Sequence, residues 1–248
     1  MCTVVVLRRP NSPWPLLAAA NRDEMAGRPW RSPGRHWPDR AEVVAGRDDL
    51  AGGSWLGLND TGVMAAMLNR MGTLGPEAGK RSRGELVLEA LDHADADAAV
   101  RALTDLRAAA YRPFNMLVAD NRDAFWLRAD GARLNVTPLA EGFSMLTAFE
   151  LNDESDPRIR AFLPRFRAAP PPDPDQDDWQ AWQTLLATRA PSGSLNREDG
   201  LSFQLDNGFG TRSAALLALP AMHRAGVRPR FLFAAGAPGE TPFLPVTA

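Results

Sequence analysis

MCTVVVLRRPNSPWPLLAAANRDEM, residues 1–25, holds two short apolar segments on either side of a turn that contains two prolines. The first segment, CTVVVLR, is rich in β-branched residues, and the second, PLLAAANRDE, is apolar up to its polar end. Both are therefore predicted to be strands. The NSPWP turn between them favours an antiparallel hairpin. Such a hairpin carries Asn21–Glu24 back to the N-terminus, where Cys2, the only cysteine of the chain, follows Met1 directly.

The composition is typical of a globular protein and excludes several kinds of function. Of the 248 residues, 45% are hydrophobic and 23% are charged, and the formal net charge of -2 indicates no basic surface for nucleic acid. A single cysteine allows neither an internal disulfide framework nor a Cys-x-x-Cys zinc cluster, and no cofactor is expected. Val4–Leu7 is too short for the apolar core of a signal peptide, and no apolar run is long enough to span a bilayer. The expected location is therefore the cytoplasm.

Strand patterns and helix patterns occupy separate blocks along the rest of the chain. Further strands are predicted at residues 54–59, 62–69, 114–120, 124–130, 133–137, 142–147, 212–219 and 228–236. The four from residue 114 to residue 147 are expected to form one meander. Helices are predicted to begin at Ser82, at Asp95 or Asp97, near Asp156, and at Trp179. The helix from Asp156 is expected to bend or break near Pro164.

Two segments are expected to lack regular structure. Residues 28–40 contain too many prolines and glycines for a strand or a helix and are predicted to be a loop. Residues 168–178 are predicted to be a Pro/Asp-rich surface linker. With no repeat and no clear boundary, the chain is predicted to be a single α+β domain over residues 1–248.

The chain offers one candidate nucleophile. A serine or cysteine triad needs a histidine base, and none of the histidines lies in a recognisable nucleophile context. If Met1 is removed, Cys2 carries a thiol and a free α-amine, whose ordinary pKa values are about 8.5 and about 7.7–8.0. The amine can then take the proton of the thiol, as in N-terminal-nucleophile catalysis. The alternative is that Cys2 is an incidental small residue of the strand.

The charged residues at the other end of the hairpin bear on this choice. Arg22 is expected to lower the pKa of the Cys2 thiol, and Asp23 is expected to hold the ammonium group or to tune its proton. The alternative is an ordinary surface turn that contains a salt bridge.

Several motifs, taken in order, resemble those of one family. The motifs are Cys2, NRDE at 21–24, AGRD at 45–48, GGSWLG at 52–57, Asn69, SRG at 82–84, FNML at 114–117 and GTRS at 210–213. In this order the chain resembles the NRDE family, which is the family of the transport and Golgi organization protein 2. That family in turn resembles the N-terminal-nucleophile (Ntn) hydrolases. The resemblance therefore implies a four-layer αββα sandwich, with two antiparallel sheets between helix layers.

The resemblance also implies roles for individual residues. Choloylglycine hydrolases and penicillin V acylases, the best understood relatives, cut amide bonds with an N-terminal cysteine. By analogy the catalytic residues are Cys2, Arg22, Asp23, Asn69 and Arg212, where Asn69 would lend an oxyanion donor. The substrate-binding residues would be Asn21, Glu24, Gly53, Trp55 and Asn152. The implied reaction is cleavage of a small acyl amide or related acyl substrate through a thioester.

Three points stay open. Where those acylases have an asparagine after a Leu-Thr pair, this chain has Ala148, and Asn152 replaces that asparagine only if the loop bends back. Gly53 and Trp55 either admit a substrate and form its wall, or are a bulge and a core residue. The alternative function is a non-enzymatic binding protein on the same fold, for haem or an acyl-lipid ligand, with His36 as the candidate ligand of haem iron. In either case the expected partner is a small molecule and not nucleic acid.

Overall fold

The computed structural model describes residues 2–190 and 196–247. Whether Met1 is removed therefore lies outside the described residues. The chain divides into two compact units. The first unit comprises Met1–Arg28 and Ala140–Val246, and the second comprises Pro29–Leu139 with Thr247–Ala248.

The elements of both units follow in chain order. The strands are β1 Thr3–Arg8, β2 Leu16–Met25, β3 Trp30–Gly34, β4 Val43–Asp48, β5 Leu56–Asn59, β6 Met64–Asn69, β7 Phe114–Ala119, β8 Ala124–Ala129, β9 Leu134–Pro138, β10 Gly142–Leu146, β11 Phe209–Leu219, β12 Arg230–Ala234 and β13 Leu244–Pro245. The helices are α1 Gly84–Leu91, α2 Ala96–Thr104, α3 Pro157–Ala168 and α4 Gln180–Leu186, and short 3-10 turns lie at Ala108–Ala110 and Arg197–Asp199.

The first unit is built on an antiparallel six-stranded sheet in the order β10-β1-β2-β11-β12-β13. β1 and β2 form the predicted hairpin, with Thr3 opposite Asn21, so that prediction is confirmed. Successive side chains of a strand point to opposite faces of the sheet. On one face, Val5 and its neighbours form a core with residues of α3 and α4, including Phe166 of α3 and Trp182 of α4.

The second unit is built on an antiparallel seven-stranded sheet in the order β3-β4-β5-β6-β7-β8-β9. Leu86 of α1 and Val100 of α2 share a core with Met116 of β7. α2 begins after Asp95, whose side chain accepts a hydrogen bond from the backbone N of Ala98 at 2.8 Å. An aspartate in this position satisfies one of the free N–H groups of the first turn, which explains why the helix begins there.

The expectation of an irregular loop over residues 28–40 is wrong, because part of that segment forms β3 at the edge of the second sheet. β3 pairs with β4, with Trp30 opposite Asp48, and its register shifts before Gly34. An edge strand needs N–H donors on one side only, so it can accommodate Pro33.

Two other expectations are corrected. β7, β8 and β9 are consecutive in the second sheet, but β10 does not complete their meander, because it joins the first sheet with Met145 opposite Val5 of β1. α3 continues through Pro164, so the expected break is wrong, while the expected bend stays a prediction. Pro164 removes the N–H partner of the Arg160 carbonyl, and both residues lie on the exposed side of the helix.

The predicted α+β class with antiparallel sheets is confirmed. The single domain and the surface linker at 168–178 stay predictions. Within that segment Asp173 pairs with Asp178 in a short antiparallel bridge. Asp175 accepts a hydrogen bond from Nε1 of the buried Trp14 at 3.1 Å, so the segment is attached to the first unit.

Candidate active site

Cys2 lies just before β1, at the end of the hairpin where β2 carries its polar residues. Its sulfur donates a hydrogen bond to the backbone O of Asp23 at 3.6 Å and accepts one from the backbone N of Asp23 at 3.4 Å. As a residue Cys2 is half-buried. The fold therefore brings the only thiol of the chain into contact with the NRDE segment.

Burial raises the pKa of the Cys2 thiol above its ordinary value, and the negative charge of Asp23 raises it further. A hydrogen bond at the Asp23 backbone and the positive charge of Arg22 act in the opposite direction and are outweighed. The positive charge of Arg22 thus acts on the thiol pKa in the expected direction, and burial and Asp23 outweigh it.

The carboxylate of Asp23 is held in a buried network. Its Oδ2 accepts a hydrogen bond from Nη1 of Arg158 at 3.2 Å, and its Oδ1 accepts one from the hydroxyl of Thr211 at 2.8 Å. Arg158 also donates to the hydroxyl of Thr3 at 3.0 Å. Arg22, by contrast, lies 3.7 Å from a carboxylate oxygen of Glu24. Asp23 thus forms a buried ion pair with Arg158, and the catalytic roles of Arg22 and Asp23 stay predictions.

Sequence reasoning missed Arg158 and Thr211 as parts of this network, although one signal was present. Arg158, Phe162 and Phe166 follow one another at a spacing of four residues, and all three are buried on the inner side of α3. An arginine that occupies a position in an apolar stripe of a helix needs a buried partner of opposite charge. The sequence pattern does not say which carboxylate that partner is.

Asn21 lies two residues before Asp23 on β2 and is buried. Its side-chain Nδ2 donates to the backbone O of Leu186 at 3.0 Å and to the backbone O of Leu201 at 2.8 Å. Leu186 ends α4, and Leu201 lies in the segment that precedes β11. Asn21 thus ties β2 to two distant parts of the first unit, and its role in substrate binding stays a prediction.

Arg212 and Glu24 meet where β11 pairs irregularly with β2. The register between these strands shifts at Arg212, between Thr211 and Ser213. Nε of Arg212 donates to the backbone O of Glu24 at 3.1 Å, and its Nη2 donates to the backbone O of Gly208 at 2.5 Å. These contacts connect Arg212 to the end of β2 and to a neighbouring loop, while its catalytic role stays a prediction.

The loop after β10 does bend back, but Asn152 is used to close it. The backbone of Asn152 has a φ of 56° and its N donates to the Met145 O at 3.0 Å. Its side-chain Oδ1 accepts from the Met145 N at 2.7 Å. Ala148 is buried and carries no polar side chain. Asn152 therefore extends the hydrogen bonding of an edge strand, and its substitution for an oxyanion donor stays a prediction.

Gly53 and Trp55 belong to the second unit. A Cβ added to Gly53 would lie 2.4 Å from the carbonyl carbon of Gly84, so the close approach that Gly53 permits is to the start of α1. The ring of Trp55 packs so closely on Gly46 that a Cβ added there would lie 2.4 Å from it. The same ring packs edge-on against that of Trp30, with the ring centres 5.7 Å apart. These contacts support the structural alternative for Gly53. Trp55 is half-buried, and its role as a substrate wall stays a prediction.

Asn69 also lies in the second unit, where it ends β6 opposite Phe114 and is half-buried. The next residue, Arg70, donates from Nη1 to Oδ1 of Asn115 at 2.9 Å, and Nε1 of Trp126 donates to the same oxygen at 3.2 Å. The segment after Asn69 is thus tied to β7 and β8. The role of Asn69 as an oxyanion donor stays a prediction.

His36 is engaged with its own loop. Its Nε2 lies 2.8 Å from the backbone O of Ser32, and its ring packs edge-on against Trp37 with the ring centres 5.7 Å apart. In the part of the chain that the structure describes, no cluster of three or more His, Cys, Asp or Glu side chains is suited to a metal ion. Across residues 2–190 and 196–247, no helix combines the length and the apolar character needed to cross a bilayer.

Comparison with known proteins gives consistent matches at the level of sequence. A family model described as Transport and Golgi organisation 2 matches residues 1–180. The Transport and Golgi organization protein 2 homolog of Bos taurus is 34% identical over 110 residues, which cover 42% of this chain and 38% of that protein. The Mus musculus homolog is 32% identical over 108 residues, with the same two shares. The match thus spans well under two thirds of the length of these relatives.

Solved structures give matches at the level of the fold. A Caenorhabditis elegans N-acylethanolamine-hydrolyzing acid amidase ortholog matches with a TM-score of 0.57 and 14% identity, over 87% of this chain and 92% of that chain. A mutant conjugated bile acid hydrolase from Clostridium perfringens matches with a TM-score of 0.52 and 10% identity, over 100% of this chain and 97% of that chain. At such identities the likeness shows the fold alone. It confirms the predicted Ntn-hydrolase-like fold.

Proposed function

The chain belongs to the Transport and Golgi organisation 2 family, and on this premise we propose that it is a hydrolase whose nucleophile is an N-terminal Cys2. The proposed substrate is a small acyl amide or a related acyl compound. The observation that carries the proposal is the Cys2 sulfur, 3.4 Å from the Asp23 backbone N and beside a buried ion pair. The fold supports it, since similar folds occur in hydrolases named for N-acylethanolamines and for conjugated bile acids.

The proposed reaction begins after hydrolysis of the bond between Met1 and Cys2, which frees the α-amine of Cys2. The sulfur attacks the carbonyl carbon of the substrate, and its proton passes to the α-amine. The C–N bond then breaks, the departing amine takes the proton from the ammonium group, and a thioester remains.

The second half of the reaction repeats this proton transfer with water. The α-amine takes a proton from water, whose oxygen attacks the thioester carbonyl. The C–S bond breaks, the carboxylic acid is released, and the proton returns to the sulfur. A negative charge near the site favours the protonated form of any neighbouring group. Asp23, which raises the pKa of the thiol, would therefore also favour the ammonium group that both steps require.

The oxyanion of both steps needs hydrogen-bond donors. Asn69 is the proposed side-chain donor, on the strength of the family resemblance. Ala148 supplies no side-chain donor, and removal of one such donor typically costs about 10²–10³ in rate. We therefore expect slow turnover compared with a site that has both donors.

Intact-mass spectrometry tests the first requirement of this mechanism. The purified protein should lack the mass of Met1, because the α-amine must belong to Cys2. A protein that keeps Met1 in full would contradict the mechanism. As a matched control, a version with an uncleaved tag before Cys2 keeps the thiol but has no free α-amine.

A panel of N-acyl amides and acyl thioesters then tests turnover. Wild type should release the amine or thiol and should form a covalent acyl adduct at Cys2, visible by mass. The Cys2→Ala, Cys2→Ser and tagged forms should give neither product nor adduct. If wild type and Cys2→Ala instead bind haem or acyl-CoA equally well and no substrate is cleaved, the hydrolase proposal fails and a binding function replaces it.

A further inference from the structure

Arg158 of α3 is a buried cation beside the hairpin that carries Cys2. The side chain of Arg158 is 1% exposed, and that of its partner Asp23 is 0% exposed. Removing a guanidinium from water is costly unless a counter-charge and hydrogen bonds replace the lost solvation. The identity of those partners therefore indicates what the arginine stabilises.

The guanidinium of Arg158 contacts both strands next to the nucleophile. Its Nη1 bonds to the hydroxyl of Thr3, the residue that follows Cys2, and to the carboxylate of Asp23, at 3.0 and 3.2 Å. Asp23 is also the residue whose backbone meets the Cys2 sulfur. The ring of Phe203 lies against the guanidinium, with the ring centre 5.4 Å away, which adds a favourable contact. One side chain thus contacts both segments that position the thiol.

The start of α3 fixes the direction of this side chain. Asp156 is buried and accepts a hydrogen bond from the backbone N of Arg158 at 2.8 Å, while its other oxygen accepts one from the hydroxyl of Thr147. Pro157 takes the first helical position, where a missing N–H is harmless. The hydrogen bonds of Asp156 therefore anchor the first turn of α3, which contains Arg158, to the end of β10.

We propose that Arg158 is a positioning residue of the Cys2 site, which neutralises Asp23 and clamps the ends of β1 and β2 around the thiol. Its effect on turnover rests on the proposed function, whereas its effect on the thiol does not. The charged groups around this junction are Arg22, Asp23 and Glu24 on β2, Arg212 on β11, Asp156 at the start of α3, and the α-amine that the proposed mechanism frees on Cys2. Without Arg158 the charge of Asp23 loses this ion pair, and that charge already raises the pKa of the thiol.

The test compares Arg158→Met with wild type through the rate of Cys2 alkylation by iodoacetamide as a function of pH. Because Cys2 is the only cysteine, the mass shift reports this thiol alone. Arg158→Met should move the pH midpoint of the alkylation rate upward by about 1 pH unit, which is the size of effect expected of one nearby charge. Arg158→Lys keeps the charge and should stay near the wild-type midpoint. Arg160→Met is the matched control: an exposed arginine of the same helix, two residues on, that should leave the midpoint unchanged.

The double variant Asp23→Asn with Arg158→Met removes both charges. It takes the place of Arg158→Met in the alkylation experiment if Arg158→Met alone does not fold. Its midpoint should stay near that of wild type, because two neutral side chains replace an ion pair whose charges offset each other at the thiol. A folded Arg158→Met with the wild-type midpoint, or in its place a folded double variant whose midpoint is displaced by about 1 pH unit or more, would overturn the proposal.

Kinetics separate this proposal from the proposed function. With an acyl substrate, Arg158→Met should lose about tenfold or more in kcat with KM nearly unchanged, because a misplacement of about 1 Å can cost about 10²-fold. If wild type turns over no substrate, the proposed function fails, and the alkylation midpoints still decide the role of Arg158. An unchanged kcat in a folded Arg158→Met would overturn the clamp.

Discussion

Replacing Asn21 with alanine removes the amide that ties β2 to two other segments of the first unit. The Nδ2 of Asn21 donates to the backbone O of Leu186 at 3.0 Å and to that of Leu201 at 2.8 Å, and both bonds are buried. Alanine leaves both carbonyls without this donor. Since Asn21 lies two residues from Asp23 on the same strand, the loss acts close to the candidate active site.

The magnitude follows from the two bonds and from the remaining oxygen. Each buried carbonyl that loses its donor costs about 1–3 kcal/mol. The Oδ1 of Asn21 is buried and has no hydrogen-bond partner among the described residues, so its removal recovers about 1 kcal/mol. The expected net loss is about 1–5 kcal/mol in the free energy of unfolding. For a chain of this size, that corresponds to a fall in Tm of roughly 2–20 °C.

Urea unfolding followed by tryptophan fluorescence measures this loss, because Trp179 and Trp182 lie in the core that Asn21 helps to close. Asn135→Ala, at an exposed position of β9, is the matched control and should change stability by less than about 0.5 kcal/mol. Asn21→Asp keeps the size of the side chain but directs oxygen at two carbonyls, so it should destabilise at least as much as alanine. An Asn21→Ala protein within about 0.5 kcal/mol of wild type would refute this reasoning.

Two further predictions concern the second unit. Gly53→Ala places a Cβ 2.4 Å from the backbone of Gly84, so it should lower the free energy of unfolding in urea by about 1–3 kcal/mol. Gly27→Ala is the control and should be neutral, because nothing lies within 4 Å of its added Cβ. Equal effects of the two substitutions would contradict the close approach. Burial, and then the hydrogen bond to Glu85, raises the pKa of Tyr111, the only tyrosine. Its phenolate absorbance should therefore be absent from the folded protein at about pH 10 and present in urea. The contribution of the protonated Tyr111 to the free energy of unfolding is complete below about pH 10 and declines as pH rises further. Half-ionisation of Tyr111 in the folded protein near pH 10 would refute the prediction.

Much of the candidate site could be found from local patterns. The hairpin follows from two apolar segments and a proline turn, and its register alone brings Cys2 to the NRDE residues. The start of α2 at Asp95 follows from a helix cap that acts within three residues. Such features depend on neighbours in the sequence, so a pattern in the chain is enough to reveal them.

Other features depend on contacts that no local pattern encodes. Asp23 follows Arg22 directly, yet it forms a buried ion pair with Arg158, 135 residues away. The alternation of β10 suits an edge of either sheet, and pairing with β1 assigned it to the first sheet. The pKa of Cys2 rises because burial and Asp23 outweigh the nearby positive charge of Arg22.

The sequence by itself determined the α+β class, the hairpin, the single thiol and the motifs that mark the family. Only the tertiary structure decided which charge neutralises Asp23, which sheet receives β10 and in which direction the pKa of Cys2 moves. The physical reason is that strand pairing and caps arise from short-range periodicity. Burial and charge balance are instead sums over side chains that only the folded chain brings together.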